Sequence, residues 1–175
     1  DFTDSTKPVE IAFFDRGPID ATNLITAGYW STYWYNGFIY GTEMARGVDV
    51  FRLTPSEHLS QNEIDAAMLV RATEFNPQQQ PKVVWPASSV VARAYVDQLT
   101  RSKGILPERA SAITAALERV DRLRSGRDNG AAAVLDELDA LAKGLEGDAE
   151  KAAGRDAIRL RSLASTLKGR AAGLR

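Results

Sequence analysis

The sequence lacks most of the residue types on which the commonest enzyme chemistry depends. Its 175 residues include no cysteine and a single histidine, His58. Without cysteine there can be no disulfide, no thiolate metal site and no cysteine nucleophile. Phosphate-binding Gly-rich loops, the GxSxG elbow and the HExxH zinc motif are absent too. These absences exclude the common motif-bearing enzyme classes.

Strong charge of one sign and long apolar runs are also missing. The net charge is −1, which gives no bulk attraction to nucleic acid or to an anionic membrane. No apolar run approaches the roughly 18 residues that a bilayer-spanning helix needs. We therefore expect no nucleic-acid partner and no membrane span. There is no signal peptide and no initiator Met, and we expect the chain to be a piece of a longer polypeptide.

Aromatic residues, absent after Tyr95, are concentrated in Gly28–Leu53, which has the strongest β signature of the chain. Side chains of a strand alternate between two faces. The predicted faces are Tyr29, Ser31, Tyr33 and Tyr35 on one side and Trp30, Thr32 and Trp34 on the other. Asn36-Gly37 follows and predicts a type I′ hairpin turn, because both central residues of that turn need positive φ.

Three more strands are predicted around this hairpin turn. Phe38–Tyr40 and Val48–Leu53 follow it, and Val9–Phe14 precedes it. Four consecutive strands, the later ones joined by tight turns, are the content of one propeller blade. Neither face of the Tyr29–Tyr35 strand is polar, and strands that are apolar on both faces are normally covered on both sides. We expect neighbouring sheets to provide that cover.

Two segments resemble a known repeat family. DFTDSTKPVEIAFFD resembles the junction between LVIVD-type repeats, and GYWSTYWYNGFIYGTEMARGVDVFRL resembles the last blade of such a propeller. The resemblance covers roughly the first 54 residues, and the earlier blades of the family are missing. It implies a bacterial or archaeal β-propeller, usually exported and mostly without an established biochemical activity. It therefore implies an extracellular or cell-surface location and, as partners, the remaining blades of a longer chain.

The rest of the chain is predicted to be helical. Ser60 and Glu63 form a capping box, and Thr54-Pro55 with Glu57 forms an earlier one. Another helix is predicted from Ser88 or Ser89 to Arg101. We assign residues 55–104 to a helical linker region.

Residues 105–175 carry three apolar stripes with helical spacing. Predicted breaks at Gly126 and at Gly147-Asp148 separate the stripes, and Pro107 suits the first helix start. The stripe residues are Ile113, Ala116, Leu117, Val120 and Leu123, then Leu135, Leu138, Leu141, Ala142 and Leu145, then Ile158, Leu160, Leu163, Ala164, Leu167 and Ala171. Three helices with short joints predict an antiparallel three-helix bundle.

These predictions define an α+β fold. Residues 1–54 form a single four-stranded antiparallel blade of the propeller type, the terminal blade of a propeller. An all-α region follows, with the three-helix bundle at its C-terminal end.

Several charged residues are candidates for chemistry. His58 lies at a helix start with no signalled catalytic partner, so an exposed or capping role is favoured. A carboxylate or calcium site is conceivable near the strand ends, but no calcium-loop pattern occurs, and a structural role is favoured. The acidic residues concerned are Asp15, Asp20, Glu43 and Asp49. Arg16 is expected to pair with Asp15 and Arg46 with Glu43, or alternatively these arginines hold an acidic group.

The aromatic strand suggests packing between blades or, alternatively, a surface for a protein or carbohydrate ligand. The ligand-binding candidates are Tyr33, Tyr35, Glu43 and Arg46, because polar groups beside aromatics near turns are typical of a propeller rim. We predict no catalytic residue, no metal ligand and no cofactor. The predicted function is a non-enzymatic extracellular binding or scaffolding module. The alternatives are a hydrolase-like enzyme with its site in the missing blades, and a helical tail that serves in protein interaction or anchoring.

Overall fold

A computed structural model describes residues 5–74, 83–123 and 130–175. The chain divides into two compact units, Asp1–Val83 and Val84–Arg175. We call them the sheet unit and the helical unit. The described ranges contain a three-stranded antiparallel sheet and five helices, so the predicted α+β class is confirmed.

The sheet is a meander of β1 (Tyr29–Tyr35), β2 (Phe38–Glu43) and β3 (Gly47–Phe51), in that order. The turn between β1 and β2 is the one that the sequence predicts. Asn36 has φ of 51° and Gly37 has φ of 91°, as a type I′ turn requires. Asn and Gly are the residues that adopt positive φ most readily, so the local sequence determines this turn.

A β-bulge interrupts the pairing of β1 with β2. Tyr29 pairs with Glu43, whereas Ser31 pairs with Thr42, so the register shifts by one residue between them. Because a shift of one residue exchanges the faces, Tyr29 lies on the face opposite to Ser31. The prediction that the two share a face is wrong. Tyr29 instead covers Gly41, where an added Cβ would lie 2.8 Å from Cδ1 of the tyrosine ring.

The predicted fourth strand is wrong, and with it the four-stranded blade. Val9–Phe14 has no strand structure. This segment meets the sheet through side chains: the Phe14 ring lies 4.7 Å from the Phe51 ring, and Arg16 forms an ion pair with Asp49. The apolar residues of Val9–Phe14 fit a strand by pattern, but the segment has no strand pairing: Phe14 contacts the sheet through its ring, and Phe13 is 85% exposed.

The first helix, α1 (Gln61–Ala67), begins at the predicted capping box. The Ser60 hydroxyl accepts from the Glu63 N–H at 3.2 Å, and the Glu63 carboxylate accepts from the Ser60 N–H at 2.7 Å. The earlier predicted start at Thr54-Pro55 is wrong, since no helix begins there.

The segment after α1 is held against the β1–β2 turn. Asn36 Oδ1 accepts from the Ala72 N–H at 2.7 Å, and the Tyr35 hydroxyl donates to the Ala72 carbonyl at 2.9 Å. Met68 is packed so closely on the turn that a Cβ at Gly37 would lie 1.9 Å from its sulfur. The turn therefore needs glycine both for its φ and for this contact.

The described residues of the helical unit form four helices, α2 (Ser89–Arg101), α3 (Pro107–Arg122), α4 (Ala131–Lys151) and α5 (Gly154–Ala172). Each helix packs against two others, in the closed order α2, α3, α4, α5 and back to α2. The predicted three-helix bundle over 105–175 is therefore incomplete, because α2 is part of the same core. The predicted 55–104 linker region instead spans the division between the two units, which falls after Val83.

Ion pairs between neighbouring helices show their directions. Arg109 pairs with Asp148 at 2.8 Å, and Arg119, further along α3, pairs with Glu137, earlier on α4. From the first pair to the second, the residue number increases along α3 and decreases along α4, so the two helices are antiparallel. The same relation holds between α4 and α5 for the pairs Glu146–Lys168 and Asp139–Arg175. The bundle has the up-down-up-down arrangement of four-helix proteins.

The predicted stripes form most of the bundle core. The core residues with no exposed area are Ala92, Leu99, Ile113, Ala116, Leu117, Leu138, Ala142, Leu145, Leu163, Leu167 and Ala171. Ile158 is an exception, since it is 62% exposed. The predicted break at Gly147-Asp148 is also wrong, because α4 continues to Lys151. The predicted end at Gly126 lies outside the described residues.

Candidate functional site

Glu43 lies at the end of β2 and is 6% exposed. Its carboxylate accepts hydrogen bonds from the backbone N–H groups of Gly28 at 2.7 Å, Ala45 at 2.9 Å and Arg46. The bond from Gly28, opposed by burial and aided by the other two bonds, holds the pKa of Glu43 below its usual value. Glu43 therefore ties the β2–β3 turn to the start of β1.

Beside it, Asp49 on β3 is the centre of a second polar cluster. Arg16 forms an ion pair with it, and the Tyr29 hydroxyl donates to it at 2.6 Å. The hydrogen bond from Arg16, followed by the one from Tyr29, lowers the pKa of Asp49. Tyr29 also accepts from Arg16 at 3.1 Å, so the three side chains form a closed network.

An open cleft of about 370 Å³ lies between these two clusters. We call it the arginine cleft, since Arg16 and Arg46 are both in its wall. The lining residues are Phe14, Asp15, Arg16, Gly17, Pro18, Ala27, Gly28, Tyr29, Glu43 and Arg46. The segment before the sheet forms one side of this cleft, and the ends of β1 and β2 form the other.

The two arginines of the cleft differ in what they bind. Arg16 forms its ion pair with Asp49, not with Asp15 as expected, and it also donates to the Tyr29 hydroxyl. The Arg46 guanidinium lies 3.4 Å from the Gly17 carbonyl through both terminal nitrogens, and among the described residues no carboxylate lies within 4 Å of it. The expected Arg46–Glu43 ion pair does not form, because the Glu43 carboxylate is occupied by backbone N–H groups.

The four predicted ligand-binding residues do not form one site. Tyr33 pairs with Tyr40 across the sheet, and Glu43 lies three residues further along β2, so Tyr33 and Glu43 are on opposite faces. Tyr35 shares the face of Tyr33, and its hydroxyl is bonded to the Ala72 carbonyl. Arg46 is beside Glu43 in the arginine cleft.

The face of Tyr33 is a second candidate surface, which we call the open face. Its members by register are Ser31, Tyr33, Tyr35, Phe38, Tyr40, Thr42, Val48 and Val50. Three apolar side chains on it reach solvent: Tyr33 is 43% exposed, Val48 67% and Val50 57%. Tyr35, Phe38 and Tyr40 at the hairpin end are half-buried.

The other charged candidate residues make local contacts. Asp20 accepts from the backbone N–H groups of Thr22 at 2.8 Å and Asn23 at 2.7 Å, and these bonds lower its pKa strongly. Asp15 accepts from the Gly17 N–H at 2.7 Å. Nε2 of His58 lies 3.6 Å from Oε1 of the neighbouring Glu57. Of these residues only Asp15 shares the arginine cleft with Glu43, and the described residues contain no group of three or more potential metal ligands.

Sequence reasoning missed the contributions of Phe14 and Tyr29 to the cleft. The sequence pattern predicts a strand at Phe14 and the opposite face for Tyr29, because a regular alternation does not reveal a bulge. The dipeptide Gly17-Pro18 is a turn signal that could have pointed to this segment, since surface turns and loops often carry binding residues.

Comparisons of this chain with protein-family models, with curated proteins and with solved structures found no match. In the described ranges, no helix combines the length and apolar content that crossing a bilayer requires.

Proposed function

We propose that this chain is a non-enzymatic binding or scaffolding module whose open face packs against another β-sheet. The observation that carries the proposal is the exposure of Tyr33, Val48 and Val50 on one sheet face. Contiguous apolar surface of this kind is typical of an interface. Covering it removes apolar area from water, which favours association.

The shape of the open face favours a sheet as its partner. Tyr33, Tyr40 and Val50 are in register across the three strands, so their side chains form one row of a regular, pleated surface. Sheets stack face to face at about 10 Å with interdigitating side chains. The flanking blades of an LVIVD-type propeller are partners of this kind. On that resemblance, the assembly would be exported or displayed on a prokaryotic cell surface.

The two alternatives have no specific observation in their favour among the described residues. The hydrolase alternative has its active site in blades outside this chain. Within the chain, the carboxylates that line the arginine cleft, Asp15 and Glu43, already accept hydrogen bonds from backbone N–H groups. The helical unit buries most of its predicted stripe residues in its own core, so it offers less apolar surface to a partner helix.

The test removes apolar character from the open face of the full chain. The double variant Val48→Thr/Val50→Thr keeps β-branching and strand propensity while it adds two hydroxyls. We expect the wild type to bind an apolar dye and to associate with increasing concentration in sedimentation, and the double variant to lose most of both effects. Ile158→Thr, at an equally exposed position of α5, is the matched control and should change neither. A wild-type chain that is monomeric and binds no dye, or a double variant that behaves identically, contradicts the proposal.

A further inference from the structure

The arginine cleft contains one cation whose bonding capacity is largely unused. Guanidinium has five N–H donors, and Arg46 directs two of its nitrogens to one carbonyl oxygen at the long distance of 3.4 Å. The nearby carboxylates are already bonded: Glu43 by three N–H groups, Asp49 by Arg16 and Tyr29, and Asp15 by the Gly17 N–H. Arg46 is therefore available to an acceptor from outside the chain.

The rest of the cleft suits the body of a small ligand. Its volume of about 370 Å³ falls within the roughly 300–1,000 Å³ range of small-molecule sites. Phe14 and Tyr29 both pack against Phe51, at ring-centroid distances of 4.7 and 5.6 Å, and both line the cleft. The network of Arg16, Tyr29 and Asp49 fixes this wall, so little ordering is required when a ligand binds.

We propose that the arginine cleft binds a carboxylate attached to an apolar or aromatic group. The carboxylate would accept two parallel N–H bonds from Arg46, which is the pairing that a planar guanidinium favours. The apolar group would contact Phe14 and Tyr29. A singly charged carboxylate fits better than a phosphate dianion, because Asp15 and Glu43 in the same wall repel additional negative charge.

This site is independent of the proposed docking of the open face. Glu43 and Asp49 lie on the opposite face from Tyr33 and Val50, so the two surfaces can be altered separately. Loss of carboxylate binding leaves the docking proposal standing, and the reverse is also true.

The test measures binding of N-acetyl-L-phenylalanine to the full chain by calorimetry and by NMR shifts of the Gly17 and Gly28 amides. N-acetyl-L-phenylalaninamide has the same body without the charge. We expect saturable binding of the acid and at least about tenfold weaker binding of the amide, because a charged hydrogen-bonded pair is lost. A short peptide with a free C-terminal phenylalanine, compared with its amidated form, shows whether the natural source is a free acid or a chain end.

Variants then assign the binding to Arg46. Arg46→Gln should weaken acid binding about tenfold or more. Arg46→Lys should give an intermediate loss, since it keeps the charge without the planar pair of donors. Arg52→Gln, an exposed arginine just after β3, is the matched control and should change the affinity less than twofold. Circular dichroism checks that each variant is folded. The proposal is overturned if neither acid nor free peptide binds, if acid and amide bind equally, or if Arg46→Gln binds like the wild type.

Discussion

In the helical unit, the large apolar side chains that face the neighbouring helices are almost entirely buried. In the sheet unit, large apolar side chains on the strands reach solvent. Leu138 and Leu163 have no exposed area, while Trp30 is 80% exposed and Val48 67%. Among the described residues of the sheet unit, only Ile64 and Ala66 are buried apolar residues. A ring of four helices encloses a core, but a three-stranded sheet has two faces and cannot cover both by itself.

The two units are consequently stabilised by different interactions. Apolar burial dominates in the bundle. The sheet unit relies on polar contacts that fix its turns and its edge, such as the bonds of Glu43 to three N–H groups and the network around Asp49. The following predictions test this difference, beginning with the largest expected effect.

Leu138→Ala should be strongly destabilising, because it leaves a cavity at a position with no exposed area. We expect the free energy of unfolding to fall by about 2–5 kcal/mol. Urea unfolding of the full chain, followed by circular dichroism at 222 nm, measures this change. Leu106→Ala, at a 67% exposed position before α3, is the control and should stay within about 0.5 kcal/mol of the wild type. Equal effects of the two changes would contradict a close-packed bundle.

Gly37→Ala should destabilise the sheet unit by about 1 kcal/mol or more, because φ is 91° and a Cβ would meet the Met68 sulfur. The readout is amide hydrogen exchange in β1 and β2. Gly147→Ala is the opposite case: the residue is inside α4 with nothing within 4 Å of an added Cβ. It should stabilise α4 by about 0.5–1 kcal/mol. Faster exchange in α4, or unchanged exchange in the sheet, would argue against these assignments.

Acid should affect the sheet unit first. The pKa values of Glu43 and Asp49 are lowered in the folded state. Their contribution to the stability of the sheet unit is therefore fully present above the ordinary carboxylate pKa, and it is lost as the pH falls through the lowered pKa values. We expect the sheet amide resonances to lose dispersion below about pH 4, while the helical circular dichroism persists. Glu43→Gln should reduce the pH dependence. Helical signal that disappears before the sheet resonances change would refute this order.

Arg119→Ala should have the smallest effect. Arg119 and Glu137 are both about 40% exposed, so solvent screens their ion pair. We expect a loss of about 0.2–1 kcal/mol that shrinks with added salt. A double-mutant cycle with Glu137→Ala isolates the coupling between the two side chains. A coupling well above about 1 kcal/mol would show that surface charge contributes more to the bundle than its core geometry implies.

Sequence reasoning succeeded where structure is determined locally. Asn36-Gly37 determines its own turn, Ser60 and Glu63 cap their own helix, and the stripes of α3 and α4 identify buried positions by period alone. The predicted break at Gly147 is wrong because a glycine inside a helix costs only about 1 kcal/mol, which the packing of a long helix outweighs.

It failed where distant segments decide the outcome. The bulge beside Tyr29 depends on the register of β1 with β2. Whether Val9–Phe14 forms a strand depends on whether a partner strand is present beside it. The arginine cleft brings Phe14 and Arg16 together with Arg46, which lies about thirty residues later in the sequence. No local sequence pattern therefore predicts the cleft. Likewise, helical spacing showed that α2 has an apolar face but not which helices cover it.

The alternating directions of the four helices bring the beginning of α2 and the end of α5 to the same pole of the bundle. Ala87 is so close to Gly169 that a methyl group there would lie 2.7 Å from the alanine Cβ. Circular permutation of the helical unit, Val84–Arg175, without the preceding sheet unit is therefore feasible: a short engineered linker could join the end of α5 to the entry of α2, and the unit could be reopened between α4 and α5. Because the folded helices would keep their neighbours, such a permutant should retain its tertiary structure while its order of synthesis changes.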